Sequence, residues 1–100
     1  MLMVIGTAKL GVNAIDAGRE AFEAMITASR EEDGCIDYAY AIDVLDPHVL
    51  RITEKWVDEA ALAAHFRTPH MAAFQKALAA LDVTITEVLK FQTDDGAPLI

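Results

Sequence analysis

The sequence predicts a single α+β domain of the ferredoxin-like type, βαββαβ, with an antiparallel sheet and its helices on one face. Three observations carry this. β-Rich runs occur at residues 2–10, 35–45, 49–57 and 83–92. Apolar residues recur at helical spacing between the first and second runs, and again between the third and fourth. The two middle runs are joined by Asp46-Pro47-His48, a turn signal that makes them a hairpin.

Each element has its own signature. Residues 2–10 are bounded by Gly11 and Asn13 and read as a strand. From Ala14 to Glu31 the positions Ile15, Gly18, Phe22, Met25, Ile26 and Ser29 follow the period of a helix, with Asn13 as N-cap and Gly34 ending the turn that follows. Placing Leu45 opposite Val49 in the hairpin sets Tyr40 across from Glu54 and Tyr38 across from Trp56. Asp58 is the expected cap of a helix running through Phe66. Thr68-Pro69 restarts it, with Thr as cap and Pro in the first turn, and Met71, Phe74, Leu78 and Leu81 form its apolar stripe. In the last strand, 83–92, regular alternation would put Val83, Ile85, Leu89 and Phe91 on one side and Thr84, Thr86 and Val88 on the other. The domain is expected to span 2–92, with 93–100 as a C-terminal tail. Both faces of the first strand are partly apolar, which a water-facing sheet avoids, so a homodimer formed through the sheet is expected.

Composition narrows the function. One hundred residues suffice for one domain. A net charge of −8 argues against nucleic acid, whose phosphates require clustered Lys and Arg, and against anionic membrane surfaces. No apolar run approaches the roughly 18–20 residues of a membrane span. The single cysteine, Cys35, cannot form an intrachain disulfide, and a cytoplasmic protein is the expectation. Cys35 itself reads as a buried thiol.

The chemistry-bearing residues fall in two places. Tyr38, Tyr40, Glu54 and Trp56 share one face of the hairpin, where a carboxylate among large apolar neighbours needs a partner or a task. A salt bridge or a hydrogen bond to Tyr40 would be the structural explanation. His65 lies beside Leu62 and Phe66 on the buried edge of its helix, where an imidazole can act as a general base or simply cap the helix. His70 follows Pro69. The spacing of His65 and His70 is not that of a zinc helix, and no metal is expected. No GxGxxG, GxxxxGK[ST] or GxSxG motif is present.

Taken in order, Ser29-Arg30-Glu31-Glu32-Asp33-Gly34-Cys35, Tyr38, Asp46-Pro47, Glu54-Lys55-Trp56 and Ala64-His65-Phe66-Arg67-Thr68-Pro69-His70-Met71 resemble the antibiotic biosynthesis monooxygenase domain, including its quinol monooxygenase branch. The resemblance covers residues 2–92. It implies a dimeric α+β barrel, a pocket between helices and sheet, and oxidation of an electron-rich phenol, anthrone or quinol by O2 with no cofactor. On this chain it implies His65 as base or donor, with Trp56 and Glu54 beside it in the catalytic set, Glu54 orienting a donor. Tyr38, Tyr40, Phe66, His70, Phe74 and Arg30 are the implied substrate-binding residues, His70 supporting the helix break and Arg30 steadying an oxyanion. The haem-degrading relatives carry an Asn on the first strand and a Trp near the place of His65. This sequence has Gly6, Thr7 and Ala8 on that strand and His65 itself, so haem oxygenation is not expected. A non-oxidative isomerase or lyase, or a binding module without turnover, are the competing readings.

Overall fold

β1 (Leu2–Leu10) lies inside the sheet, antiparallel to a strand on either side. The computed structural model describes residues 1–100. After β1 come α1 (Ala14–Arg30), β2 (Cys35–Ile42), β3 (Val49–Trp56), α2 (Glu59–His65), α3 (Pro69–Leu78) and β4 (Val83–Gln92). The strand order is β2-β3-β1-β4 with every neighbouring pair antiparallel, which makes this the ferredoxin-like α+β fold. The second helical segment is two helices, α2 and α3, divided at Phe66-Arg67-Thr68. No helix is long and apolar enough to cross a membrane.

Alternation along β1 and β3 sorts the core. Leu2, Val4, Ala8 and Leu10, with Leu50, Ile52 and Trp56, turn towards the helices and are buried against Phe22 and Met25 of α1, Leu62 of α2, and Met71 and Phe74 of α3. Asn13 occupies the N-cap position of α1 but makes no capping hydrogen bond from its side chain. Its φ of 62° places it in the left-handed region, and only its carbonyl serves the helix, accepting from Ala17 N. Gly34 closes the turn after α1 at φ 83°, a conformation that a side chain disfavours, and its carbonyl accepts from Val57 N.

Three strand details depart from the sequence reading. β2 ends at Ile42, because Asp43 and Asp46 turn the chain by accepting from the amides of Leu45 and His48, leaving Val44 and Leu45 in solvent. With that longer loop, Ile42 pairs with Leu50, Tyr40 with Ile52 and Tyr38 with Glu54. The slip is two residues, one full period of the pleat, so the same side chains still share a face. In β4 the register shifts opposite Thr7/Ala8: Thr7 pairs with Glu87 and Ala8 with Ile85, so Thr86 is the extra residue. Its hydroxyl meets Thr7 Oγ1 at 2.7 Å and donates to the Thr7 carbonyl. The bulge reverses the alternation. Val83, Ile85 and Val88 pair with the helix-facing residues Leu10, Ala8 and Gly6, whereas Leu89 and Phe91 pair with the outward residues Ile5 and Met3. The side assignments expected for Val83, Ile85 and Val88 against Leu89 and Phe91 are thereby corrected.

Candidate functional site

Between the inner face of the sheet and the α2–α3 pair lies a cavity of about 510 Å³, a size that suits a small organic ligand. Twelve of its 16 lining residues are hydrophobic, counting the rings of Tyr38 and Tyr40. The polar groups on its wall are Tyr38 and Tyr40 from β2, Glu54 from β3, His65 from α2, Gln75 from α3 and Lys90 from β4.

His65 is placed by the chain break that follows it. Asp58 caps α2 by accepting from Ala61 N at 2.9 Å, and α2 ends at His65 itself. Thr68 then does two things. Its hydroxyl donates to the His65 carbonyl at 2.8 Å and accepts from Met71 N at 3.2 Å, so one side chain closes the first helix and caps the next. The imidazole is 1 % exposed and packs with ring centroids 4.8 Å from Trp56 and 5.4 Å from Tyr38. Its Nδ1 lies 2.6 Å from Glu32 Oε2, and that same oxygen lies 2.8 Å from His70 Nε2.

Glu54 is 8 % exposed and satisfied by its strand neighbour: Trp56 Nε1 donates to Oε1 at 2.9 Å. The hydrogen bond to Tyr40 expected as the structural explanation does not form, because Tyr40 pairs with Tyr38, hydroxyl to hydroxyl at 2.7 Å. Burial pushes the Glu54 carboxyl above the usual range, against the opposing pull of the Trp56 N–H and of His65. Burial likewise drives the Tyr38 hydroxyl far up and the Tyr40 hydroxyl to about 12, so both stay protonated at neutral pH.

The other expected site residues fall in different places. Phe66 stands at the cavity with 61 % of its surface exposed, and Phe74 is buried on the wall, its ring 6.1 Å from that of Tyr40. Trp56 is wholly buried, behind Glu54 and His65 and off the cavity wall. His70 also lies off the wall, on the far side of Glu32. Arg30 is outside the site: it is an exposed residue whose Nε donates to the Tyr38 carbonyl at 2.8 Å, holding β2 to the end of α1. Cys35 is half-buried rather than fully enclosed, and burial with nearby Glu32 and Glu54 raises its thiol to about 11, which keeps it un-ionised.

Glu32 is the residue that sequence reasoning missed. It sits in the run Arg30-Glu31-Glu32-Asp33, where nothing local sets it apart from its neighbours, and its partners are 33 and 38 positions away. With it, the fold gathers two imidazoles and a carboxylate whose donor atoms lie within 4.8 Å of one another, a set that could hold a divalent cation. The spacing of the two histidines along the chain therefore does not decide that question. The N···O contacts of 2.6 and 2.8 Å are those of direct hydrogen bonds.

Residues 1–77 match the family model described as antibiotic biosynthesis monooxygenase. Among solved structures, a candidate antibiotic biosynthesis monooxygenase from Deinococcus radiodurans is similar over 100 % of this chain and 99 % of its own, with a TM-score of 0.89 at 25 % identity. The protein PA3566 from Pseudomonas aeruginosa is 30 % identical with a TM-score of 0.75, over 96 % of this chain and 94 % of its own. Rv0793 from Mycobacterium tuberculosis is 28 % identical with a TM-score of 0.80, over 97 % and 98 % of the two chains. An uncharacterised protein of Synechocystis is 36 % identical over 52 residues, which are 52 % of this chain and 35 % of that protein, so the match spans about a third of that relative. By its match over residues 1–77, from β1 into the last turn of α3, this chain belongs to the antibiotic biosynthesis monooxygenase family.

Proposed function

We propose that the chain is a cofactor-independent monooxygenase that oxidises a small, electron-rich aromatic, a quinol, anthrone or polyketide-like phenol, with O2. The observation that carries this reading is an apolar cavity whose wall presents an imidazole, His65, and a buried carboxyl, Glu54, side by side with two neutral tyrosine hydroxyls. His65 takes a proton from the bound substrate. The resulting electron-rich anion passes electrons to O2 beside a mostly apolar wall. One oxygen atom is inserted at a C–H carbon of the substrate, becoming a carbonyl at an anthrone CH2 or a ring hydroxyl on the quinone formed from a quinol, and the other leaves as water. The substrate supplies every electron, so no external reductant is needed. Tyr38 and Tyr40, kept protonated by burial, offer a hydroxyl donor to a substrate oxygen, and Phe66 and Phe74 provide flat apolar surface for a ring. Lys90 is the only Lys or Arg on the wall and is paired with Glu59, so the cavity offers little to a phosphorylated or strongly anionic substrate. We further propose that two copies pair through the outward face of the sheet, where Ile5, Leu89 and Phe91 stand about half exposed.

The test is product analysis under 18O2 with 1,8-dihydroxyanthrone and 1,4-dihydroxynaphthalene in chelator-treated buffer. One labelled oxygen per product, formed without added flavin or metal, is expected. Peroxide release with no label in the product, or dependence on an added cofactor, would overturn the reading.

A further inference from the structure

Resting on the reading of His65 as the base, we infer that Glu32 is a positioning residue that fixes which nitrogen of His65 faces the substrate. An ionised carboxylate only accepts, so the 2.6 Å contact requires His65 Nδ1 to carry its hydrogen and to donate it to Glu32 Oε2. The proton of a neutral imidazole being spent there, Nε2 is bare. Nε2 makes no hydrogen bond of its own, yet no wholly buried polar side-chain atom lacks a partner, so this nitrogen opens onto the cavity that His65 lines. The free imidazole in water prefers the opposite tautomer, with hydrogen on Nε2, which would place a donor where the reaction needs an acceptor. Glu32 reverses that preference.

Two further observations support the assignment. Glu32 is itself held: His70 Nε2 donates to the same Oε2 at 2.8 Å, and the Glu32 side chain is only 12 % exposed, so the carboxylate cannot swing away without losing both partners. The Thr68 hydroxyl holds the His65 backbone carbonyl, while the ring itself is held by Glu32 and packs beside Trp56 and Tyr38. During turnover the substrate proton moves to His65 Nε2, Nδ1 keeps its own hydrogen, and the imidazolium so formed lies against the Glu32 carboxylate. A cation in place of these hydrogens would need nitrogen and oxygen each about 2.0–2.2 Å from the metal and splayed apart at a tetrahedral angle. The direct 2.6 Å contact is too close for that, and the protonic arrangement is favoured.

Long-range 1H–15N correlation of uniformly 15N-labelled protein reads the tautomer with no substrate present. The intact chain is expected to show His65 with hydrogen on Nδ1. Glu32→Ala is expected to return it to the Nε2–H form, and Glu32→Gln, whose amide oxygen still accepts, to retain Nδ1–H while losing compensation of the imidazolium. With 1,4-dihydroxynaphthalene and O2, Glu32→Gln should lose about tenfold or more in kcat with KM little changed, the cavity wall being untouched. Nε2–H in the intact protein, or Nδ1–H persisting in Glu32→Ala, overturns the inference. So does stoichiometric Zn2+ binding by the intact protein, in competition with the Nδ1 hydrogen, that Glu32→Gln abolishes. If Glu32→Ala does not fold, Nε2–H in the intact protein remains sufficient to refute it. Should the tautomer be as expected while no aromatic is oxidised, the monooxygenase reading fails and the role of Glu32 stands.

Discussion

Glu54 shows what the residue scale made legible and what it hid. The two-residue period of a strand is enough to bring Tyr38, Tyr40, Glu54 and Trp56 onto one face, and the slip of the hairpin by a full period left that face intact. The partner of Glu54 was not legible, because the choice between Tyr40 and Trp56 depends on ring orientations that spacing does not specify. Its consequence for stability has a definite sign. Burial raises the folded-state value above the ordinary 4.5, so the folded chain holds a proton that the unfolded chain releases. The stability contributed by Glu54 is therefore complete below pH 4.5 and is lost as pH rises through the folded value. Glu54→Gln is neutral at every pH, and its amide oxygen still accepts from Trp56 Nε1. Thermal unfolding of this variant is expected a few degrees above the parent at pH 7, with the difference vanishing towards pH 4. A variant less stable than the parent at pH 7 would show that the carboxylate is held in its charged form.

At the scale of elements, the break between α2 and α3 was the best-written feature of the sequence. Asp58 and Thr68-Pro69 both cap as their residue types demand, since a short oxygen-bearing side chain satisfies amides that the first helical turn leaves free. Asn13 has the same chemistry and does not cap, because the turn from Gly11 forces it to a left-handed φ that points its side chain elsewhere. The bulge at Thr86 left no mark either: a run that alternates well locally gives no sign that its partner strand advances one residue slower. The break joins stability to function through Thr68, which serves His65 and Met71 at once. Thr68→Ala is expected to lower unfolding free energy by about 1–2 kcal/mol in urea with an unchanged m-value. Thr68→Ser, which keeps the hydroxyl, should restore most of the loss. Equal destabilisation by both would assign the effect to the lost methyl and not to the cap.

At the scale of the whole molecule, the order of elements and the family were both legible, because they follow from periodicity and from an ordered set of short motifs along the chain. The assembly of the site was legible only in part. His65 and Glu54 announce themselves as polar residues in apolar surroundings, whereas Glu32 is one acid in a run of acids until the fold sets it between two histidines. The outward sheet face carries the remaining claim. Ile5 is 48 % exposed on an interior strand, and its β4 partner Leu89 is nearly as exposed, which is costly in an isolated chain. Light scattering is expected to give twice 10.9 kDa for the parent and a monomer for Ile5→Glu, while a monomeric parent would remove the paired-sheet proposal. The most direct test of the account is oxygen consumption with dihydroxynaphthalenes, anthrones and simple quinols in metal-free, chelator-containing buffer, comparing the parent with His65→Ala. The account predicts uptake above the enzyme-free rate that falls about 100-fold or more in the variant, the contribution expected of a positioned base. Uptake that His65→Ala leaves unchanged would contradict it.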